Sequence, residues 1–213
     1  MNDPRTPIRL DDEDDDDRPE EEPKEGEKAK DKPSPPIMER LLKARTVLLF
    51  GAINDKVARE ISAQLLALSV DNDEPIKLII NSPGGHVESG DTIHDMIGFI
   101  KPQVKVIGTG WVASAGAHIF LGAKKENRYC LPNTRFLLHQ PMGGVRGPAT
   151  DIDIEANEII KMRERLNATI ARETGQPIED VRKHTDRNFW MSAEEAKKYG
   201  VVTHIVSTAA EVD

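Results

Sequence analysis

The chain has 213 residues, 38% of them hydrophobic, and carries 37 Asp/Glu against 29 Lys/Arg, a formal charge of −8, which suits one domain with a sizeable core. The single Cys130 excludes a disulfide framework and a cysteine-rich metal site. No uncharged apolar run approaches the roughly 18 residues of a membrane helix, so no membrane association is expected.

Residues 1–36 hold 14 Asp/Glu against 7 Lys/Arg, including the acidic run 11–17, and few apolar side chains. Such a stretch cannot bury enough surface to offset its ordering entropy, so it is expected to be a disordered tail. An acidic start with no apolar h-region argues against a secretory signal and places the chain in the cytoplasm. The remainder is almost balanced, 23 acidic against 22 basic groups, and gives no electrostatic footprint for nucleic acid.

From Ile37 onward, strand-length apolar runs alternate with stretches of helical period, the pattern of an α/β domain with much parallel sheet. A short helix over 37–44 precedes a strand at 46–50. Asn54 then caps a helix reaching about Val70, with Val57, Ile61, Leu65 and Leu68 on one face. A strand at 76–80 breaks at Asn81-Ser-Pro-Gly-Gly85, and a helix over 87–100 ends before Pro102. The third strand, 104–108, runs through small residues around Ser114 into a helix over 115–123. Strands at 129–130 and 135–139 and a turn-rich stretch, 141–148, lead to the longest helical pattern, 149–173, stopped by Gly175. A helix near 178–184, an extended 188–190, a capped helix over 192–199 and a strand at 202–206 complete the domain, set at 37–207, with 208–213 as a flexible end.

Three places carry chemistry. Gly84 and Gly85 follow a buried strand, where bare backbone N–H groups can approach a substrate; a Pro-Gly-Gly turn is as readily structural. Ser114 sits at a strand-to-helix junction among Ala113, Ala115 and Gly116, which resembles a nucleophile elbow without its full pattern and also reads as an ordinary helix cap. His139 closes an apolar strand next to Gln140-Pro141, where it can face a cleft and take the serine proton. His86, His94, His118, His184 and His204 show no metal-ligand spacing, so no metal site is expected.

Taken together, Asn81-Ser-Pro-Gly-Gly85, Val112-Ala-Ser-Ala-Gly-Ala117, His139-Gln-Pro-Met-Gly-Gly144, Thr174-Gly-Gln-Pro177, Thr185-Asp-Arg187 and Met191-Ser-Ala-Glu-Glu-Ala196 resemble the Clp protease proteolytic-subunit family, in order and spacing, from about residue 37 to 207. The resemblance implies a crotonase-like α/β fold with a protruding handle helix over 149–173. It implies serine peptidase chemistry on unfolded polypeptides, heptameric rings stacked as a tetradecamer, and an AAA+ unfoldase that consumes ATP while this chain uses no cofactor. The family's nucleophile falls on Ser114, its base on His139, and its oxyanion donors on the N–H groups of Gly85 and Ala115.

The family's triad Asp falls on Asn188. In chymotrypsin-type peptidases an Asp-to-Asn change at this role lowers kcat about 10⁴-fold, yet an Asn can orient a His through its side-chain oxygen. Two readings therefore stay open: an active serine endopeptidase subunit, or a catalytically weak ring subunit that assembles with an active paralogue. Lys77 and Ile79 replace aromatic residues of the family's unfoldase-docking pocket, whose other walls, Phe99 and Tyr129, are kept. Pro148 stands where the handle stretch usually has a polar residue.

Overall fold

The computed structural model describes residues 35–212. Its first element, α1 (Pro35–Lys43), opens on two prolines. The first turn of a helix has no intrahelical acceptor for its N–H groups, so proline is tolerated there. This first described helix starts two residues before the boundary expected from composition, and the acidic stretch 1–34, expected to be a disordered tail, lies outside the described residues.

The chain continues through β1 (Thr46–Phe50), α2 (Asp55–Asp71), β2 (Ile76–Ser82), α3 (Val87–Phe99), β3 (Val104–Ala113) and α4 (Ala115–Phe120). Then come β4 (Arg128–Cys130), β5 (Arg135–Leu138), α5 (Ala149–Thr174), α6 (Ile178–Thr185), β6 (Phe189–Ser192), α7 (Ala193–Tyr199) and β7 (His204–Ile205). Local signals explain several boundaries. The Asn54 side chain accepts the Val57 N–H at 3.0 Å, Ser192 and Glu195 form a capping box, and Gly175 ends α5 in the left-handed conformation.

The main sheet is parallel, in the order β1-β2-β3-β4-β7. Alternate residues of β1 and β2 (Val47, Leu49, Ile76, Leu78, Ile80) face one side, where Ile61 and Leu65 of α2 and Ile93 and Ile97 of α3 cover them. This is the expected α/β architecture. α5 is its projecting element: its 26 residues span about 39 Å. Its buried positions are Asn167, Thr169, Ile170 and Thr174, all in the last third, while Ile152, Ile154 and Ile160 are exposed.

On the edge away from β2, strand β3 serves two partners. Val106–Gly108 pairs with β4, whereas Trp111–Ala113 pairs in parallel with β5, and its pairing with β2 slips between Ile80 and Ser82. Gly108 and Gly110 lie at the fork, Gly110 at φ +59°, which a side chain would resist. β5 in turn pairs antiparallel with β6. The third strand is therefore longer than the expected 104–108, because Gly-Thr-Gly marks a bend rather than an end.

The C-terminus departs from expectation. Residues 208–212 form a capped turn through Thr208 and Glu211, and Val212 is buried against Ile107 and Val206 on the far face of the sheet. Its carbonyl accepts a hydrogen bond from Lys105 Nζ. An apolar Val after a polar Thr-Ala-Ala-Glu stretch is enough to dock the end, so the folded unit extends through Val212.

Arg128 is the largest fully buried side chain. Its Nε donates to the Ala123 carbonyl at 2.8 Å, Nη2 to that of Leu121 at 2.9 Å and Nη1 to that of Glu173 at 3.0 Å, and Nη2 pairs with the Glu173 carboxylate. One guanidinium thus ties the segment after α4 to the end of α5.

Candidate functional site

Ser114 follows β3 directly. Its N–H donates to the Leu137 carbonyl of β5 at 2.9 Å, and its own carbonyl accepts the His118 N–H at 3.1 Å, so it joins a strand to a helix without a loop. The joint requires φ 55° and ψ −122° at Ser114, an uncommon conformation for a residue with a side chain, and one that turns a nucleophile out of a sheet. Such a turn requires small neighbours. A Cβ on Gly116 would stand 3.2 Å from the Ser82 Cβ, and one on Gly90 3.1 Å from the Ala115 Cβ.

The Gly84-Gly85 loop is braced from beneath. The Ser82 hydroxyl donates to the Gly51 carbonyl at 2.7 Å and accepts the Gly84 N–H at 3.1 Å. Ile53 N–H donates to the Gly84 carbonyl, and the Ile53 carbonyl accepts the His86 N–H, both at 2.9 Å. In a parallel bridge these bonds flank Gly85, so its own N–H points the other way. Among the described residues neither the Gly85 nor the Ala115 N–H has an acceptor, which leaves both donors available to a ligand.

Gly84 packs on the serine itself: a Cβ there would come within 2.5 Å of the Ser114 Cβ and 2.9 Å of the Ala113 carbonyl oxygen, at φ +98°. Gly84→Ala is expected to displace the loop from Ser114. Activity per folded subunit, measured as kcat/KM on a fluorogenic peptide, should fall by roughly 10- to 100-fold. Gly51→Ala, at a positive φ but with open space around its Cβ, should not cause that loss.

His139 follows β5 and is half-buried, and burial lowers its pKa. The imidazole is therefore unprotonated at neutral pH and able to accept a proton. Ser114, Ala115, His118 and His139 share one cavity of about 30 Å³ with apolar walls from Val87, Leu138, Leu166 and Ile170.

Asn188 stands just before β6. The β5/β6 register pairs Leu138 with Phe189, so one step further brings Asn188 opposite His139. Directly opposite residues of an antiparallel pair hold their Cβ atoms about 5 Å apart. Asn188 is nonetheless exposed, and among the described residues it makes no hydrogen bond with His139. Asp186, the nearest carboxylate along the chain, is engaged elsewhere: its Oδ1 accepts from Arg163 at 3.2 Å and its backbone carbonyl from Gln140 at 2.7 Å.

The structure also places residues that the sequence did not single out. Asp91 of α3 accepts both arms of Arg165 from α5, at 2.8 and 2.6 Å. Its Oδ1 lies 2.8 Å from Nε2 of His118, off the axis of the ring N–H, while Nδ1 of His118 has no partner. Burial opposes the Asp91 charge, but the contacts with His118 and Arg165 outweigh it and hold this carboxyl well below the usual range. His118 stacks on His94 with centroids 4.3 Å apart. Cys130 is no rival nucleophile, since burial pushes its thiol up to about 12.

Comparison with known proteins gives a consistent picture. The profile described as Clp protease matches residues 29–209. The chain is 60% identical over 209 residues to the ATP-dependent Clp protease proteolytic subunit 2 of Gluconobacter oxydans, covering 97% of this chain and 93% of that one. It is 59% identical over 172 residues to the proteolytic subunit 3 of Rhizobium etli, covering 81% and 89%. Among solved structures, ClpP1 from Listeria monocytogenes superposes with a TM-score of 0.76 at 54% identity, over 83% of this chain and 99% of that chain. A ClpP1 mutant from the same organism, with one Asn changed to Asp, gives 0.78 at the same identity and the same coverage.

Proposed function

Since this chain belongs to the Clp protease family as a proteolytic subunit, we propose that it cleaves peptide bonds as a serine endopeptidase, with Ser114 as nucleophile and His139 as general base. The observation that carries this reading is the left-handed turn at Ser114, which opens into the same cavity as His139 and stands beside two N–H groups without acceptors. His139 takes the hydroxyl proton as Oγ attacks the substrate carbonyl. The N–H groups of Gly85 and Ala115 receive the developing oxyanion. His139 then returns the proton to the leaving amine, the acyl group remains on Ser114, and water activated by the same imidazole releases it. Nothing in these steps requires a cofactor on this chain. In the assembled protease ATP is consumed by a partner unfoldase that feeds in unfolded polypeptide, the proteolytic chain forms stacked heptameric rings, and the work is done in the cytoplasm.

A second reading, a weak ring subunit that joins an active paralogue, draws on Asn188, which lacks both a charge and a bond to His139. Labelling by a fluorophosphonate separates the two. The peptidase reading expects stoichiometric modification of Ser114 in the purified homo-oligomer; no labelling favours the other.

Asn188→Asp tests the third position. A carboxylate opposite His139 stabilises the imidazolium formed during attack, so kcat/KM should rise about 10-fold. The pH profile gives an independent measure. Burial lowers the His139 pKa, so activity should persist below about 6.5, the ordinary value. An added carboxylate raises that pKa; the protonated ring, which is not a base, then survives to higher pH, and the acid limb moves upward. An unchanged rate and limb in an assembled variant would show that position 188 does not act on His139.

A further inference from the structure

The loop that carries Gly85 is seated on one short piece of chain. Ile53 and Gly85 form a parallel bridge, and a Cβ on Gly85 would collide with the Ile53 carbonyl oxygen, so the place of the Gly85 N–H follows the place of Ile53. Each of the two residues stands just before a helix. Ile53 is followed by Asn54, the cap of α2, and Gly85 by His86, at the cap position of α3. Whatever ties these two helix starts together sets the seat of the loop.

Three side chains tie them. The Ser89 hydroxyl donates to Asp55 Oδ1 at 2.5 Å, and Nδ1 of His86 lies 2.8 Å from the same hydroxyl. A hydroxyl has one hydrogen, and here it goes to Asp55, so Ser89 accepts from the Nδ1–H of His86. Asp55 belongs to α2, whereas Ser89 and His86 belong to the first turn and cap of α3. The series therefore closes across the bridge. Side chains at a cap position commonly accept a helix N–H, but His86 makes no such bond; its ring turns to Ser89 and, through Nε2, to Glu88 at 3.1 Å. Ser89 itself is 2% exposed, so loss of its hydroxyl is not simply made good by water. Its hydrogen bond also holds the Asp55 carboxyl below the usual range, which keeps that carboxylate an acceptor wherever an imidazole can serve as base.

We propose that Asp55, Ser89 and His86 are positioning residues, which act as one unit to bind the starts of α2 and α3 together and so keep the Gly85 N–H where the oxyanion forms. The proposal rests on Ser114 being the nucleophile and Gly85 an oxyanion donor. None of the three lines the cavity shared by Ser114 and His139; Val87, the next residue, does.

The test uses the full-length assembled protein, its active sites counted by fluorophosphonate labelling to completion, a fluorogenic peptide, and two inhibitors of one peptide sequence. One ends in an aldehyde, whose adduct with Ser114 puts an oxygen in the oxyanion position; the other ends in a primary alcohol and forms no adduct. Ser89→Ala should lower kcat per labelled site by about 10-fold, less than the roughly 10²- to 10³-fold of a donor removed outright, with KM changed by less than about twofold. Aldehyde affinity should fall about as far as kcat/KM, and alcohol affinity should stay. Asp55→Ala, at an exposed position, should act like Ser89→Ala, whereas Asp55→Asn keeps an acceptor for the hydroxyl and should retain most of the rate. The double variant Asp55→Ala, Ser89→Ala should be little slower than either single one, as members of one unit lose their effect together. With Ser114 labelled normally, an unchanged kcat in Ser89→Ala and Asp55→Ala, equal losses of aldehyde and alcohol affinity, or losses that multiply in the double variant would overturn this inference alone. Absence of Ser114 labelling in the unmodified chain would overturn the peptidase reading and this inference with it.

Discussion

Ser114→Ala is expected to abolish peptidase activity, by at least about 10⁴-fold in kcat, while the chain folds and assembles as before. In the proposed mechanism the hydroxyl forms the acyl bond and His139 serves only as base, and nothing else in the cavity can replace it: the only thiol is buried at Cys130. Removing one oxygen from a half-buried residue costs little packing, and Ala tolerates the positive φ no worse than Ser. Active-site titration and native mass make the comparison. Adding His139→Ala to Ser114→Ala should reduce the residual rate hardly further, because residues that act as one unit lose their effect together. A double variant much slower than either single one would mean that the two side chains serve separate steps.

The largest expected effect on stability belongs to Arg128→Ala. Four hydrogen bonds end on this guanidinium: its loss leaves the Leu121 and Ala123 carbonyls without this donor in a place water reaches poorly, and takes one cation from the partly exposed Glu173 carboxylate, which Arg172 still holds at 2.9 Å. Removing one partner of such a buried pair costs on the order of 3–5 kcal/mol, or a fall in melting temperature of roughly 10 °C for a domain of this size. Arg128→Lys should recover only part of it, since a single ammonium cannot reproduce a planar fork aimed at acceptors on two segments. A thermal melt with both variants decides the matter: equal stability of Arg128→Ala and the unmodified chain would mean that the surrounding acceptors find other partners.

Arg128 also marks a limit of what the sequence conveys. An arginine between Asn127 and Tyr129 looks like a surface residue, and its partners lie 5 to 45 positions away. The elements read most cleanly were those defined by local rules: Asn54 and Ser192 as caps, Gly175 as a stop, and the strand Thr46–Phe50. Gly108 and Gly110 break the alternation of β3, so the sequence shows only its first half, although they are the means by which it changes partners. Nothing in the pattern of the five residues before Val212 announces its docking. At the site, small residues around Ser114 pointed to a tight turn, and the turn is there. Asp91, His118 and Arg165 meet only through the packing of α3, α4 and α5; Asp91 and Arg165 are 74 positions apart, and no motif joins them.

The fork in β3 has a mechanical consequence. Ser114 leaves the end of β3 and His139 the end of β5, and these two strands are laced together through Trp111, Val112 and Ala113 and by the bond from Ser114 N–H to the Leu137 carbonyl. Any tilt or slide of that strand pair carries both groups as one rigid frame, so it is a common-mode displacement that leaves their separation unchanged. The Gly85 N–H, the proposed oxyanion donor, is mounted separately, on the loop after β2. Differential motion is therefore confined to that loop, where the Ser82 hydroxyl and the Ile53 backbone act as its two restraints.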